Sequence, residues 1–120
     1  MKTIDIIAAK RTAVASLGKS LKNIPAEELG SCVIKDLINV SKIEKNNIDE
    51  IIMGQVLTGG SGQNPARQAS MLSDLPEKVS ALTVNQVCGS GLRSVMIACQ
   101  SILSGQSEIV IAGGQESMSN

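Results

Sequence analysis

A single cysteine, Cys88, stands in the stretch Asn85-Gln86-Val87-Cys88-Gly89-Ser90-Gly91-Leu92, between a β-type run (Val79 to Val84) and a helix-type run (Leu92 to Leu103). The residue type and the place together suggest covalent chemistry. A strand-to-helix junction exposes the unpaired N–H groups and positive dipole end of the helix, which favour an anion. That is the setting of a nucleophilic thiolate. A lone cysteine is by default a small packed apolar side chain, but the glycines around Cys88 at a helix start favour function. The activation is modest, because a helix end contributes roughly 1 kcal/mol, less than the ion pair that an imidazole supplies. The chain has no histidine. It therefore carries a nucleophile without the usual base.

The other candidate motifs are weaker. Gly18-Lys19-Ser20 has Ala13 where a phosphate-binding loop needs glycine, and Gly60-Ser61-Gly62 is followed by Pro65 where a dinucleotide fingerprint needs its third glycine. The carboxylate pairs Glu27/Glu28 and Asp49/Glu50 are adjacent and read as solvated charges at the starts of elements. Cys99 shares a seam with Leu92, Val95 and Ile102, and Cys32 neighbours Val33, so both read as core thiols. Three cysteines with no CxxC pair and no histidine support neither a disulfide framework nor a metal site.

The elements that must hold Cys88 follow from pattern. Thr3 to Ala9 reads as a strand, with Ile4, Ile6 and Ile7 β-branched. Lys10 to Asn23 is a polar connection. Pro25 opens a helix with Glu27 and Glu28 in its first turn, and Leu29, Val33, Leu37 and Val40 recur at helical spacing until about Ser41. Glu50 to Leu57 is a second strand. Asn64-Pro65 is an N-cap and first-turn pair for a short helix toward Leu72. Val79 to Val84 is a third strand, the helix after Cys88 stops at Gly105, and Ile109 to Ala112 is a fourth. The order β-α-β-α-β-α-β calls for an α/β fold with a mostly parallel sheet and helices on both faces. Between Leu92 and Leu103 only Arg93 and Gln100 are large and polar, so this helix needs cover beyond one sheet face.

Bulk composition removes several function classes. The 120 residues are 42% hydrophobic and 18% charged, which is globular. Eleven basic and eleven acidic residues cancel, and Phe, Tyr and Trp are all absent. Without a basic stripe or stacking aromatics, nucleic-acid binding is not expected. No apolar run approaches a membrane span, and the start of the chain has no signal or transit pattern. A reducing, cytoplasmic setting is the expectation.

Asn85 to Ser94 resembles the acyl-enzyme cysteine motif of thiolases, the acetyl-CoA acetyltransferase family. Gly62-Gln63-Asn64-Pro65-Ala66-Arg67-Gln68, Ala112-Gly113-Gly114-Gln115-Glu116-Ser117-Met118-Ser119 and Lys10-Arg11-Thr12 are similar to further stretches of that family, in order and at the expected spacings. The resemblance implies that Cys88 accepts the acyl group, with its backbone N–H helping an oxyanion hole. It implies coenzyme A thioesters, acetyl-CoA among them, as substrates, with no cofactor and no metal. It places Gln63, Asn64 and Arg67 near a subunit interface and makes the chain a homo-oligomer, paired through the Val79–Val84 strand. It implies a strand order 3-2-1-4, with the first strand between the second and the fourth. Gln115 and Ser117 stand where relatives often have Met and Asn, a tolerable change. Thiolases are much longer, and their Gly-His-Pro segment, second catalytic cysteine, Asn-Glu-Ala segment and loop domain have no counterpart here. Residues 1–120 thus resemble an N-terminal domain cut before the loop domain, inactive alone in the reaction of its family. The alternatives are a non-catalytic fragment or assembly half that needs a separate C-terminal part, and a ketoacyl synthase, which the motif matches less well.

Overall fold

The computed structural model describes residues 2–120. Three helices and three strands alternate along it: α1 (Ala26–Ser41), β1 (Glu50–Gly54), α2 (Pro65–Leu72), β2 (Ser80–Val84), α3 (Ser90–Leu103) and β3 (Val110–Gly114), with a short 3-10 turn at Lys45–Asn47. The sheet has the order β2-β1-β3, and both pairings are parallel. Glu50 is level with Ser80 on one side and with Val110 on the other.

β1 is the central strand, and all five of its residues are buried. Alternation sends Ile51 and Met53 to one face of the sheet and Glu50, Ile52 and Gly54 to the other. The first face meets Ile34 of α1 and Ala66 and Ala69 of α2, with Ile48, Leu75 and Val79 completing the cluster. The second face carries α3, whose buried residues are Ser90, Ser94, Ala98 and Ser101. Helices therefore cover both faces, as the pattern predicts.

Short residues set the packing distances. Along α1 the buried line is Ala26, Gly30, Ser31 and Ile34, and along α2 it is Pro65, Ala66, Ala69 and Ser70. With so little side chain between them, the two helices approach closely, and Ser73 Oγ reaches the carbonyl of Ser31 across the gap (3.4 Å). The predicted row of Leu29, Val33 and Leu37 is only half-buried, and Val40 is exposed. The face of α1 that meets the core lies one residue further on.

One strand and the strand order need correction. Thr3 to Ala9 forms no strand, so the sheet has three strands rather than four. Ile6 is 81% and Ile7 65% exposed. β-branched residues favour a pleated surface only where a partner strand and a packed face exist. β1 already has β2 on one side and β3 on the other, which leaves no side for the N-terminal segment. The expected insertion of that segment between the Glu50 and Ile109 strands is therefore absent, and those two strands pair directly.

Candidate active site

Cys88 lies on the turn between β2 and α3, just before the helix N-cap Gly89, and its side chain is exposed. The turn is built from inside by one buried hydroxyl. Ser90 Oγ donates to the carbonyl of Val87 (2.6 Å) and accepts from the N–H of Gln86 (2.8 Å). A second side chain braces it from outside, where the N–H of Val87 donates to Asn85 Oδ1 (2.9 Å). Val87 is held with φ at +50°. For a β-branched residue that is a strained, left-handed conformation.

Glycine lets the turn sit close to the sheet. A Cβ on Gly54 would run into the backbone carbonyl of Ser90. A Cβ on Gly114 would come within 3.2 Å of Gly91 Cα. Ser94, fully buried, extends the attachment with its hydroxyl 2.7 Å from the carbonyl of Gly113. The start of α3 thus rests on the carboxyl ends of β1 and β3, the place where open parallel sheets present ligand sites.

The segments that follow the three strands are tied to one another. Glu116, just after β3, accepts from the N–H groups of Val56 (2.8 Å) and Leu57 (3.1 Å), just after β1. The carbonyl of Val56 accepts from Asn85 Nδ2 (3.2 Å), just after β2. Gln115 is buried and donates to Gln55 Oε1 (3.0 Å), while its own Oε1 faces Gly30 without a hydrogen-bond partner. The Gln115 amide thus reaches into the packed interior.

Several expectations are refined by this geometry. The N–H groups of Gly89 and Ser90 donate to the carbonyls of Gln86 (3.0 Å) and Val87 (3.1 Å), so they serve the turn and not the sulfur. Cys32 is exposed rather than in the core, and Cys99 is partly buried. Exposure alone does not separate Cys88 from Cys32; the braced turn does. Gln63 is exposed on the loop before α2, and its carbonyl accepts from Gln68 Nε2 (2.8 Å). Asn64 Nδ2 donates to the carbonyl of Ala81 (3.1 Å) and Arg67 Nη1 to that of Val79 (2.9 Å). Both carbonyls point away from β1, because Ser80 and Val84 are the residues bonded toward it. Asn64 and Arg67 therefore dress the outer edge of β2. Asn85, Ser90 and Glu116 were not singled out as site residues by sequence. An Asx turn from Asn85 to Val87 is a local pattern that could have marked the first; nothing local marks Glu116.

A cavity of about 320 Å³ opens beside the loop after β1, lined among others by Pro25, Gln55, Leu57, Ser61 and Ser117. Cys88 does not line it. Among the described residues no group of His, Cys, Asp and Glu side chains is arranged to hold a metal ion, and no helix is long and apolar enough to cross a membrane.

The family profile described as thiolase, N-terminal domain, matches residues 4–120. The chain belongs to the thiolase family. An acetyl-CoA acetyltransferase of Cupriavidus necator is 54% identical over 119 residues, covering 99% of this chain and 30% of that protein. One of Chromobacterium violaceum is 56% identical over 116 residues, again with 30% of its length covered. Among solved structures, a thiolase from Ascaris suum in complex with coenzyme A superimposes with a TM-score of 0.85 at 40% identity, covering 88% of this chain and 28% of that one. The thiolase-family chain described here thus spans about 30% of the length of the curated relatives it matches.

Proposed function

We propose that these 120 residues form one N-terminal thiolase domain that supplies the acyl-accepting cysteine of an acyl-CoA acyltransferase, with Cys88 as nucleophile. The observation that carries the reading is an exposed thiol on a braced turn at the carboxyl ends of a parallel sheet, in a chain of this family. Acetyl-CoA is the substrate suggested by the names of the relatives.

In this reading the Cys88 sulfur attacks the thioester carbonyl of an acyl-CoA. The bond to the coenzyme A sulfur breaks, the acyl group stays on Cys88 as a new thioester, and the thiol proton leaves with coenzyme A. A second acyl-CoA then loses an α-proton, and its carbanion attacks the acyl-cysteine to form a 3-ketoacyl-CoA and restore the thiol. The reverse direction is thiolysis. Removing a proton beside a carbonyl needs a positioned base, and these residues contain no histidine. The resemblance assigns that step to a Gly-His-Pro segment and a second catalytic cysteine that these residues lack, so by themselves they should take up an acyl group but not turn over. The three free thiols fit a reducing, cytoplasmic setting.

The test is a chimera in which residues 4–120 replace the matching segment of the Cupriavidus necator relative. It is expected to cleave acetoacetyl-CoA, and Cys88→Ser is expected to lower its kcat by at least ~10³-fold, the scale on which nucleophile removal acts. A folded chimera whose Cys88→Ser variant keeps its rate rules the reading out. In the 120-residue chain, acetyl-CoA should acetylate Cys88 in preference to Cys32, which is also exposed, as peptide mass mapping would show.

A further inference from the structure

The brace on the Cys88 turn reaches beyond the turn itself. A β-branched side chain at positive φ is strained and persists only where its surroundings hold it. Two grips hold Val87. The carbonyl side is fixed by Ser90, within the turn. The N–H side is fixed by Asn85 Oδ1, and the amide nitrogen of the same side chain is bonded to the carbonyl of Val56. The N–H groups of Val56 and Leu57, in two successive peptides, both donate in turn to the Glu116 carboxylate. The relay runs from Glu116 after β3, through the backbone after β1, to Asn85 after β2 and so to the residue that precedes Cys88.

We propose that Asn85 is a positioning residue for Cys88: it keeps Val87 left-handed and so fixes the direction in which the thiol leaves the turn, with Glu116 as the distant anchor of the same relay. The proposal rests on the reading of Cys88 as the acyl acceptor. Neither Asn85 nor Glu116 needs to touch a substrate for this role. Asn85 bonds at both ends of its amide, and Glu116 uses both carboxylate oxygens on the backbone.

The experiment uses the 120-residue chain and two exposed thiols. Iodoacetamide is the probe, and the ratio of the Cys88 to the Cys32 alkylation rate is followed by peptide mass mapping. Cys32 lies on α1, outside the relay, and serves as an internal reference. The wild-type ratio should be at least ~3, because the braced turn presents the exposed Cys88 sulfur in one fixed direction. Asn85→Ala should bring it close to one without changing the Cys32 rate. Asn85→Asp keeps the acceptor for the Val87 N–H and loses the donor to Val56, so it should restore at least half of the lost ratio. Glu116→Gln, which leaves one backbone N–H without its carboxylate acceptor, should give an intermediate value. In a Val87→Gly background the left-handed backbone is cheap, and Asn85→Ala should then change the ratio by less than twofold.

A wild-type ratio near one removes the reading of Cys88 as a poised nucleophile, and the positioning role with it. A wild-type ratio well above one that Asn85→Ala leaves unchanged overturns the positioning role alone. Equal effects of Asn85→Ala with Val87 and with Gly at position 87 also overturn it, because strain would then not be what Asn85 holds. Should Asn85→Ala not fold by circular dichroism, the pair Asn85→Asp and Glu116→Gln decides, and wild-type ratios in both overturn the role.

Discussion

Asp49 shows how a side chain outside the site fastens one element to another. Its carboxylate, next to the start of β1, accepts from the N–H groups of Glu108 (2.8 Å) and Ile109 (3.1 Å), which lead into β3. The bond from Glu108, then that from Ile109, with help from the Lys78 charge, hold its pKa below the ordinary 3.8 in spite of some desolvation. A folded-state pKa below the unfolded value means that the unfolded chain binds more protons in acid. The stabilisation is therefore complete above the unfolded value and is lost as pH falls through the folded one. The urea midpoint of the wild type should drop steadily below about pH 4, and Asp49→Asn should show a flatter profile over the same window. Identical slopes would remove the role. Legibility at this scale follows distance along the chain. Cys88 and Asn64 announce themselves by their immediate neighbours. The bonds from Glu116 to Val56 and from Asp49 to Glu108 join residues about 60 positions apart and become visible only when strand order is known.

Among the elements, α3 and β1 make the contact on which the turn depends. Gly54→Ala places a methyl group against the Ser90 backbone, where no side chain can give way. It should cost at least about 2–3 kcal/mol, the upper range of overpacking, with a lowered melting temperature and an altered Cys88 alkylation rate. Gly91→Ala meets Gly114 Cα only at 3.8 Å, an ordinary contact, and should change stability by less than about 1 kcal/mol. A similar loss in both variants would refute this account of the helix start. The boundaries of α2 and the end of α3 were legible because Asn64-Pro65 and Gly105 act locally, and Asn64 does accept from the Arg67 N–H. The face of α1 was misjudged because that helix carries two apolar rows, and only tertiary packing decides that Gly30 and Ile34 face inward. The N-terminal run was misjudged because strand propensity does not state whether a partner is present.

For the whole molecule, the apolar surface is the decisive quantity. Leu92 is 70% exposed, and Met96 and Leu103 are exposed on the same helix, α3; Ile6 and Ile7 of the N-terminal segment are exposed as well. β3 also has its outer edge unpaired among the described residues. Surfaces of this kind associate. Sedimentation of the 120-residue chain at micromolar concentration should therefore show oligomers, and Leu92→Lys with Met96→Lys should shift the distribution toward monomer. A monodisperse wild-type monomer would contradict the prediction. The central place of β1 has a consequence for biosynthesis. The strand that both others must join is the first to leave the ribosome, since Glu50 waits for Ser80 and then for Val110. Until those arrive, Ile51, Ile52 and Met53 form a sticky, half-made ribbon in a nascent polypeptide. A pause in translation before Val110 should prolong its capture by a chaperone.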